Sequence, residues 1–515
     1  MLRLEPMRSV EPIAAAQAGG GLKVLALVGA LMATGNAGAQ ALQIRPSIDT
    51  RLTYSDNINA SSDNEKSDWV AEIAPSIVML REEGRFTGRL QATLRNVIHA
   101  REGDRDTSFV ALDGNGQLEA VRNRLFIDMD AATSRNNTTG LSGRASSDFL
   151  STDSSNETRQ FSIGPRLLFR LGDAEGAASH RRTWFDGGGA LLQRNVGDSQ
   201  IGLSDPTAFG RFGWGLSYGR TDTSYDDGLT NDVTEEISRA TLYLNVSRKL
   251  RLHGVVGYEQ NDYSVNEEHG RIAGGGFDWH PSERTLIAAS AEDRFFGRSY
   301  SLQLNHRRPR SVWDVSWSRD VTSSLDSQSS FFNDPAFRQL YDNPLLELIF
   351  PDPVDRFNAV RGSRQEWSGA NAHGFVTNNY FVSRTLRGSF SLIGARNVLT
   401  FALQRSDNSR LGDPLVTDPR DDFAEFDDVE TDSAILSLNH RLTSNASLNA
   451  TLTRSRSIGH ATDEEDETRR TMLSVGVSRR LGAYTNAALA YRYQRADGSS
   501  DFTENVLTAS LGMQF

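Results

Sequence analysis

The sequence predicts an all-β protein, a transmembrane antiparallel up-and-down β-barrel with an even strand number of about 20 or 22, or about 18 as the lower alternative. Apolar residues recur at every second position through most of the chain beyond residue 42. The links between these segments are alternately short and long. The last segment keeps the alternation up to Phe515.

In segment 85–96, Phe86, Gly88, Leu90, Ala92 and Leu94 share one face, and Arg85, Thr87, Arg89, Gln91, Thr93 and Arg95 share the other. A strand sends alternate side chains to opposite faces, so the first set reads as lipid-facing and the second as lining a wet lumen. Segment 158–171 repeats the pattern, with Phe161, Ile163, Leu167 and Phe169 outside and Arg166 and Arg170 inside. Pro165 interrupts it, because proline cannot donate to a ladder. Segments 239–247, 445–453 and 474–493 alternate likewise. A soluble sandwich also alternates, but it would bury an apolar face where this chain places arginines. The inward set nominates Arg85, Arg89, Arg95, Arg166, Arg170 and Arg239 as lumen-lining. Such arginines either form a path for anionic sugars or pair with Asp128, Asp130 and Glu119 in a polar lumen.

Counting back from Phe515, short links at 482–484, 443–445, 394–396, 308–310 and 249–250 alternate with longer polar ones. Bacterial barrels have tight periplasmic turns and extended outer loops, which places both termini in the periplasm. Long outer loops are expected near 135–157, 222–236, 321–384, 407–431 and 457–469. Segmentation yields about 21 strands, and an even-numbered barrel forbids that count. The miscount falls in 172–236, where Gly187, Gly188 and Gly189 blur the alternation.

In the last segment Leu507, Ala509, Leu511, Met513 and Phe515 occupy one face. Alternation ending on a terminal Phe is similar to the signal read by barrel-assembly machinery, with Leu511, Met513 and Phe515 as its residues. At the other end, Arg3, Arg8 and Lys23 precede the apolar run 24–32 and the small-residue sites Ala37-Gly38-Ala39 and Ala39-Gln40-Ala41. The run falls short of the roughly 20 residues that a spanning helix needs. Residues 1–41 therefore read as a signal peptide, cleaved after Ala39 or Ala41, and 42–515 as the barrel. The expected location is the outer membrane of a Gram-negative cell, among outer-membrane lipid and lipopolysaccharide.

Hydrophobic residues make up 38% of the chain, below the roughly 45–50% of globular domains. A barrel needs one apolar residue in two, so a mean hydropathy of −0.46 is compatible with it. With no cysteine, disulfides, thiolate metal sites and Cys nucleophiles are excluded. A net charge of −11 argues against nucleic acid as a partner. Lys23, Lys66 and Lys249 are the only lysines, so the positive charge is nearly all arginine.

The acidic stretch 407–432 offers Asp421, Asp422, Asp427 and Asp428 as a candidate calcium loop, but it has no EF-hand spacing, and charge runs are usually solvated. The long segment 321–383 carries Phe331, Phe332, Tyr341, Phe350 and Trp367 and reads as a constriction, a partial plug or an external lid. His440 shares the outer face with Leu436, Leu438 and Leu442, while the nearest hydroxyl, Ser447, points inward, so the nucleophile of a Ser–His site is missing. Gly274-Gly275-Gly276 precedes no helix, which removes a dinucleotide reading. No enzyme activity, metal or cofactor is expected.

Three segments carry a family resemblance: Trp279-His280-Pro281-Ser282-Glu283-Arg284-Thr285, Arg294-Phe295-Phe296-Gly297-Arg298-Ser299-Tyr300, and residues 313–322 (WDVSWSRDVT). With Thr53-Tyr54-Ser55-Asp56-Asn57-Ile58 and Asn379-Tyr380-Phe381-Val382, they resemble the outer-membrane proteins associated with PEP-CTERM/exosortase systems. The resemblance covers most of the mature chain. It implies a porin-like barrel encoded with exopolysaccharide-production and protein-sorting machinery, and it carries no catalytic residues. The expected function is an outer-membrane channel or conduit associated with exopolysaccharide production or export, or with PEP-CTERM surface-protein systems, with exopolysaccharide or its export proteins as candidate partners. The alternative is a non-conducting scaffold whose lumen is filled by 321–384.

Overall fold

The computed structural model describes residues 42–81, 83–137, 155–187, 193–226, 231–263, 268–323, 377–412, 422–461, 465–498 and 501–515. The expected signal peptide, the aromatic residues of 324–376 and Asp421 lie outside them.

The chain forms one 22-stranded antiparallel sheet, in which each strand pairs with its sequence neighbours. The first strands are β1 (Gln43–Ser55), β2 (Asp68–Arg81), β3 (Phe86–His99), β4 (Thr107–Val121), β5 (Leu125–Asn137), β6 (Ser155–Leu171) and β7 (Ala174–Asp186). They continue as β8 (Arg194–Phe209), β9 (Phe212–Tyr225), β10 (Val233–Ser247), β11 (Leu250–Asn261), β12 (Glu268–Ser282), β13 (Thr285–Arg294), β14 (Gly297–Arg308) and β15 (Ser311–Thr322). The last are β16 (Phe381–Ile393), β17 (Asn397–Arg410), β18 (Asp428–Thr443), β19 (Ala446–His460), β20 (Glu465–Arg480), β21 (Thr485–Gly498) and β22 (Phe502–Gln514). A single helical turn, α1 (Asp422–Glu425), precedes β18.

The sheet closes between its ends. β1 pairs with β22 from Ser47↔Gln514 to Ser55↔Val506, and the Phe515 amide donates to the Pro46 carbonyl at 2.9 Å. Closure leaves no open edge, so the ladder satisfies its own backbone groups without water. The start of β1 and the end of β22, together with short turns such as 248–249 and 309–310, lie at one end of the barrel, and the strand ends joined by the longer links 56–67, 323–380 and 411–427 lie at the other.

The uncertain stretch 172–236 contains β7, β8, β9 and the start of β10. The alternation is blurred there because the β8–β9 register shifts between Asp205 and Phe209, beside Pro206. A Cβ on Gly213 would stand 2.1 Å from the Pro206 backbone, so this bulge needs glycine opposite it. β9 and β10 extend to Tyr225 and from Val233, and β19 and β20 to His460 and from Glu465, so the links there are shorter than the expected loops. At Pro165, the β6–β7 pairing lapses after Ile163↔Arg182 and resumes in the same register at Arg166↔Ser179.

Directly opposed residues share a face, so register assigns every side chain to the lumen or the outside. Outward positions include Leu52, Leu94, Ile201, Leu242, Leu403 and Leu489, all solvent-exposed in the isolated chain. An apolar belt outside a closed barrel faces hydrocarbon. Where backbones crowd this surface, glycine leaves room: Leu90 lies over Gly114, where a Cβ would stand 2.7 Å from its Cδ1. Toward the long-link end, the outward faces turn from apolar to charged, with pairs Arg384–Asp407 (3.3 Å), Arg405–Glu430 (2.7 Å) and Arg495–Asp497 (2.7 Å).

Candidate functional site

The site is the lumen. Its inner wall is mostly polar, and many of its charges are paired in place. Arg95 and Arg51 both reach Glu72, with Arg51 at 2.9 Å. Arg166 pairs with Asp128 at 2.8 Å, and Arg181 with Asp130 at 3.0 Å. Arg239 on β10 crosses two strands to Glu292 on β13 at 3.0 Å. Glycines make that crossing possible: a Cβ on Gly257 would stand 3.3 Å from Arg239 Cγ, and one on Gly274 would stand 2.9 Å from Glu292 Cγ. Farther toward the long-link end, Arg294 bridges Glu259 (2.6 Å) and Asp320 (2.5 Å), with the Arg294 and Glu259 side chains almost wholly buried. Buried charges need such partners, because desolvation would otherwise dominate.

The nominated arginines therefore do not act as one ring. Arg89, Arg95, Arg166 and Arg239 are on the inner face, and the last three engage carboxylates. Arg89 donates to Gln91 at 3.3 Å. Arg85 precedes β3 and is exposed at the short-turn rim, and Arg170 pairs with Glu175 beside the turn at Gly172. Of the expected carboxylate partners, Asp128 and Asp130 hold arginines, whereas Glu119 accepts from the Asn123 amide at 2.6 Å.

At the opposite end, described residues of three links turn into the barrel mouth. Ile58, after β1, packs with the inward Val70, Val97, Phe109 and Val506, and Ala60 packs with Ala496 and Phe502. The Ile58 amide donates to the Lys66 carbonyl at 2.7 Å and the Asn57 Nδ2 to the Thr503 carbonyl at 3.1 Å, so this hairpin is held inside by hydrogen bonds. Before β18, Phe423 and Phe426 join Phe381 and Val429 in a second buried cluster. Before β16, residues Thr377, Asn378 and Asn379 are buried, and the Tyr380 hydroxyl lies 3.1 Å from Thr223 Oγ1 on β9. The Tyr380 ring packs at a tilt against Tyr263 (4.7 Å between centroids), which in turn stacks on Phe295 at 5.9 Å. Burial holds the Tyr263 and Tyr380 hydroxyls protonated, above the ordinary phenol range.

Burial divides the inner wall accordingly. In the long-link half, Thr53, Ser162, Glu259, Ser406 and Gln494 are buried on strands all around the circumference. In the short-turn half, Gln43, Arg170, Arg441 and Asn449 are exposed, whereas Val312, Ser391 and Ile393 are buried.

The clusters at the mouth were hidden in the sequence within stretches read as loops. Phe423 and Phe426 lie in the acidic segment, and an FxxF pattern among acids was the available signal. Of the candidate calcium ligands, Asp427 is held by Arg410, and the described residues include no cluster of metal-ligating side chains. His440 hydrogen-bonds Asn397 across the strands, and Ser447 bonds Ser478 at 2.8 Å from the inner face. Leu511, Met513 and Phe515 face outward on or beside β22, with Leu511 opposite Thr50 and Met513 opposite Ile48.

No family model and no curated protein matches the chain. Among solved structures, it is similar to the siderophore receptor PirA from Acinetobacter baumannii, with 8% identity over 93% of this chain and 81% of that one, at a TM-score of 0.48. A mutant of the ferric enterobactin receptor from Pseudomonas aeruginosa gives 11% identity, 94% and 81% coverage and a TM-score of 0.47. OccK2 from Pseudomonas aeruginosa, in complex with glucuronate, gives 10% identity, 92% and 98% coverage and a TM-score of 0.34. At such identities and scores, nothing about cargo transfers from those proteins to this chain.

Proposed function

We propose that the protein is an outer-membrane channel or conduit, with the short turns and both termini in the periplasm and a constricted mouth facing outward. The observation that supports this reading is the closed barrel with an apolar belt outside and a largely polar inner face. The charged collar above the belt at the long-link end suits the phosphate-rich headgroup layer of lipopolysaccharide. The outward face around Leu511, Met513 and Phe515 is the surface offered to barrel-assembly machinery. The test is conductance of the purified barrel in planar bilayers. A channel gives discrete, ion-dependent current steps, and their absence from correctly folded protein defeats this reading.

A second reading is a non-conducting scaffold that docks export partners, and the inward links at the mouth favour it. Loosening those links separates the two readings, because a channel then conducts more and a scaffold stays silent. The link to exopolysaccharide production or PEP-CTERM surface proteins rests on the sequence resemblance. Loss of surface polysaccharide in a strain lacking the gene is its expected signature, and an unchanged surface removes that assignment.

A further inference from the structure

The outward collar at the long-link end is uneven. Most of its arginines have a carboxylate in reach, as in Arg159–Glu157 (2.8 Å), Arg220–Asp222 (2.7 Å), Arg384–Asp407 (3.3 Å) and Arg405–Glu430 (2.7 Å). On β19 and β20 the arginines outrun the acids. Register sets Arg456 directly opposite Arg469, and it sets Arg454 between Ala434 and Thr471. Like charges directly opposite each other destabilise a ladder. One carboxylate serves both: Glu467 accepts from Arg456 Nε at 2.5 Å and from Arg469 Nε at 2.6 Å. That leaves the pair with a net positive charge. Arg454 is exposed and makes no ion pair among the described residues.

The unused donors converge on one spot. Residues two apart on a strand are separated by about 7 Å and facing strands by about 5 Å, so Arg454, Arg456, Arg469 and Thr471 corner a small outward patch. Guanidinium groups bind phosphate through paired, charge-assisted hydrogen bonds. Arg182 and Arg271 are also exposed outward without an ion pair among the described residues. Neither has an arginine opposite it: Arg182 meets Ile163 and Gly197, and Arg271 meets Tyr258. The row beneath the patch shows what the rest of a ligand would touch. One step toward the short-turn end, register aligns Leu436, Leu452, Leu473 and Tyr493, and the three leucines are exposed on the apolar belt. A ligand that uses both rows carries phosphate directly above hydrocarbon chains, whereas a soluble polyanion gains nothing from the leucines.

We propose that Arg454, Arg456, Arg469 and Thr471 bind a phosphate of the outer-leaflet glycolipid, the lipid A of lipopolysaccharide, with its acyl chains on Leu436, Leu452 and Leu473. This rests on the outward orientation of the long-link end proposed above, and it narrows a general collar to one site. The experiment titrates the full, delipidated barrel in detergent with bisphosphoryl lipid A and with its dephosphorylated form, read by native mass spectrometry. Wild-type protein is expected to hold the phosphorylated form about tenfold more tightly and to keep it against equimolar inorganic phosphate. Arg454→Gln/Arg456→Gln is expected to lose that tenfold. Arg182→Gln/Arg271→Gln removes the same charge from the collar elsewhere and is expected to stay near wild type, with all lipid-free barrels melting alike. Equal losses in the two double variants would mean diffuse collar charge and overturn the site. Equal affinity for the dephosphorylated form, or displacement by inorganic phosphate, overturns the lipid phosphate as its occupant. Orientation is read separately, since the chain has no cysteine. Asp63→Cys, exposed in the link after β1, is expected to react with an impermeant maleimide on intact cells. No reaction overturns the orientation, and the lipopolysaccharide assignment with it.

Discussion

Tyr380, one residue before β16, places its hydroxyl 3.1 Å from Thr223 Oγ1 on β9, although β9 and β16 are not neighbours in the barrel. The contact is therefore a chord across the mouth. Tyr380→Phe removes a buried hydrogen bond and should cost about 0.5–1.5 kcal/mol. Tyr380→Ala also removes the ring from Tyr263 and should cost about 3–5 kcal/mol. Thermal unfolding in detergent reads the cost, and single-channel conductance should rise in the order wild type, Phe, Ala. Equal conductance in all three would mean that the chord does not limit the pore.

Arg294 sits between Glu259 and Asp320, buried with Glu259. Arg294→Met preserves much of the side-chain volume but strands a buried carboxylate, which typically costs about 3–5 kcal/mol. The variant should melt earlier and, wherever it conducts, shift toward cation selectivity, because two carboxylates then face the lumen without their cation. Glu259→Gln in the same background should recover part of both effects. A reversal potential unmoved by Arg294→Met would place this cluster off the permeation path.

Strand identity, faces and topology were legible because a period-two pattern and link lengths are local properties. Residues 85–96 became β3 from Phe86 with the two sets of residues on opposite faces, and residues 239–247 became part of β10. Segmentation stopped at about 21 because the Asp205–Phe209 bulge breaks periodicity without breaking the strand, and parity recovered 22 as one of the two favoured counts. Charge pairing was only half legible. Asp128 faces Arg166 from an adjacent strand, but Arg239 meets Glu292 across two intervening strands, a distance set by barrel shear and by the room left at Gly257 and Gly274. The inward links were not legible, since Ile58 and Phe423 owe their burial to side chains from distant strands.

Gly274 illustrates how tightly that room is defined. A Cβ there would stand 2.2 Å from the Ala291 carbonyl oxygen, on backbone that cannot swing aside. Gly274→Ala should destabilise the barrel by about 1–3 kcal/mol. Gly254→Ala, on the neighbouring strand with nothing near its would-be Cβ, should be close to neutral. Comparing the two melting temperatures checks the packing, and equal values would contradict it.

The assignment of the two faces can be tested at a single step along β10. Leu242 is 73% exposed and points outward, and Thr241 before it points into the lumen beside Arg239 and Tyr243. In water, an arginine at either place would be equally harmless. In a bilayer, Leu242→Arg puts a cation into hydrocarbon near the middle of a strand, at a cost of about 2–4 kcal/mol. Thr241→Arg puts the same cation into a wet, carboxylate-bearing lumen and should be tolerated. Refolding into lipid vesicles across a urea series reads the difference directly. A large loss for Leu242→Arg with a small one for Thr241→Arg is the expected result. The opposite order would exchange inside for outside throughout the barrel, because one register fixes all the faces together.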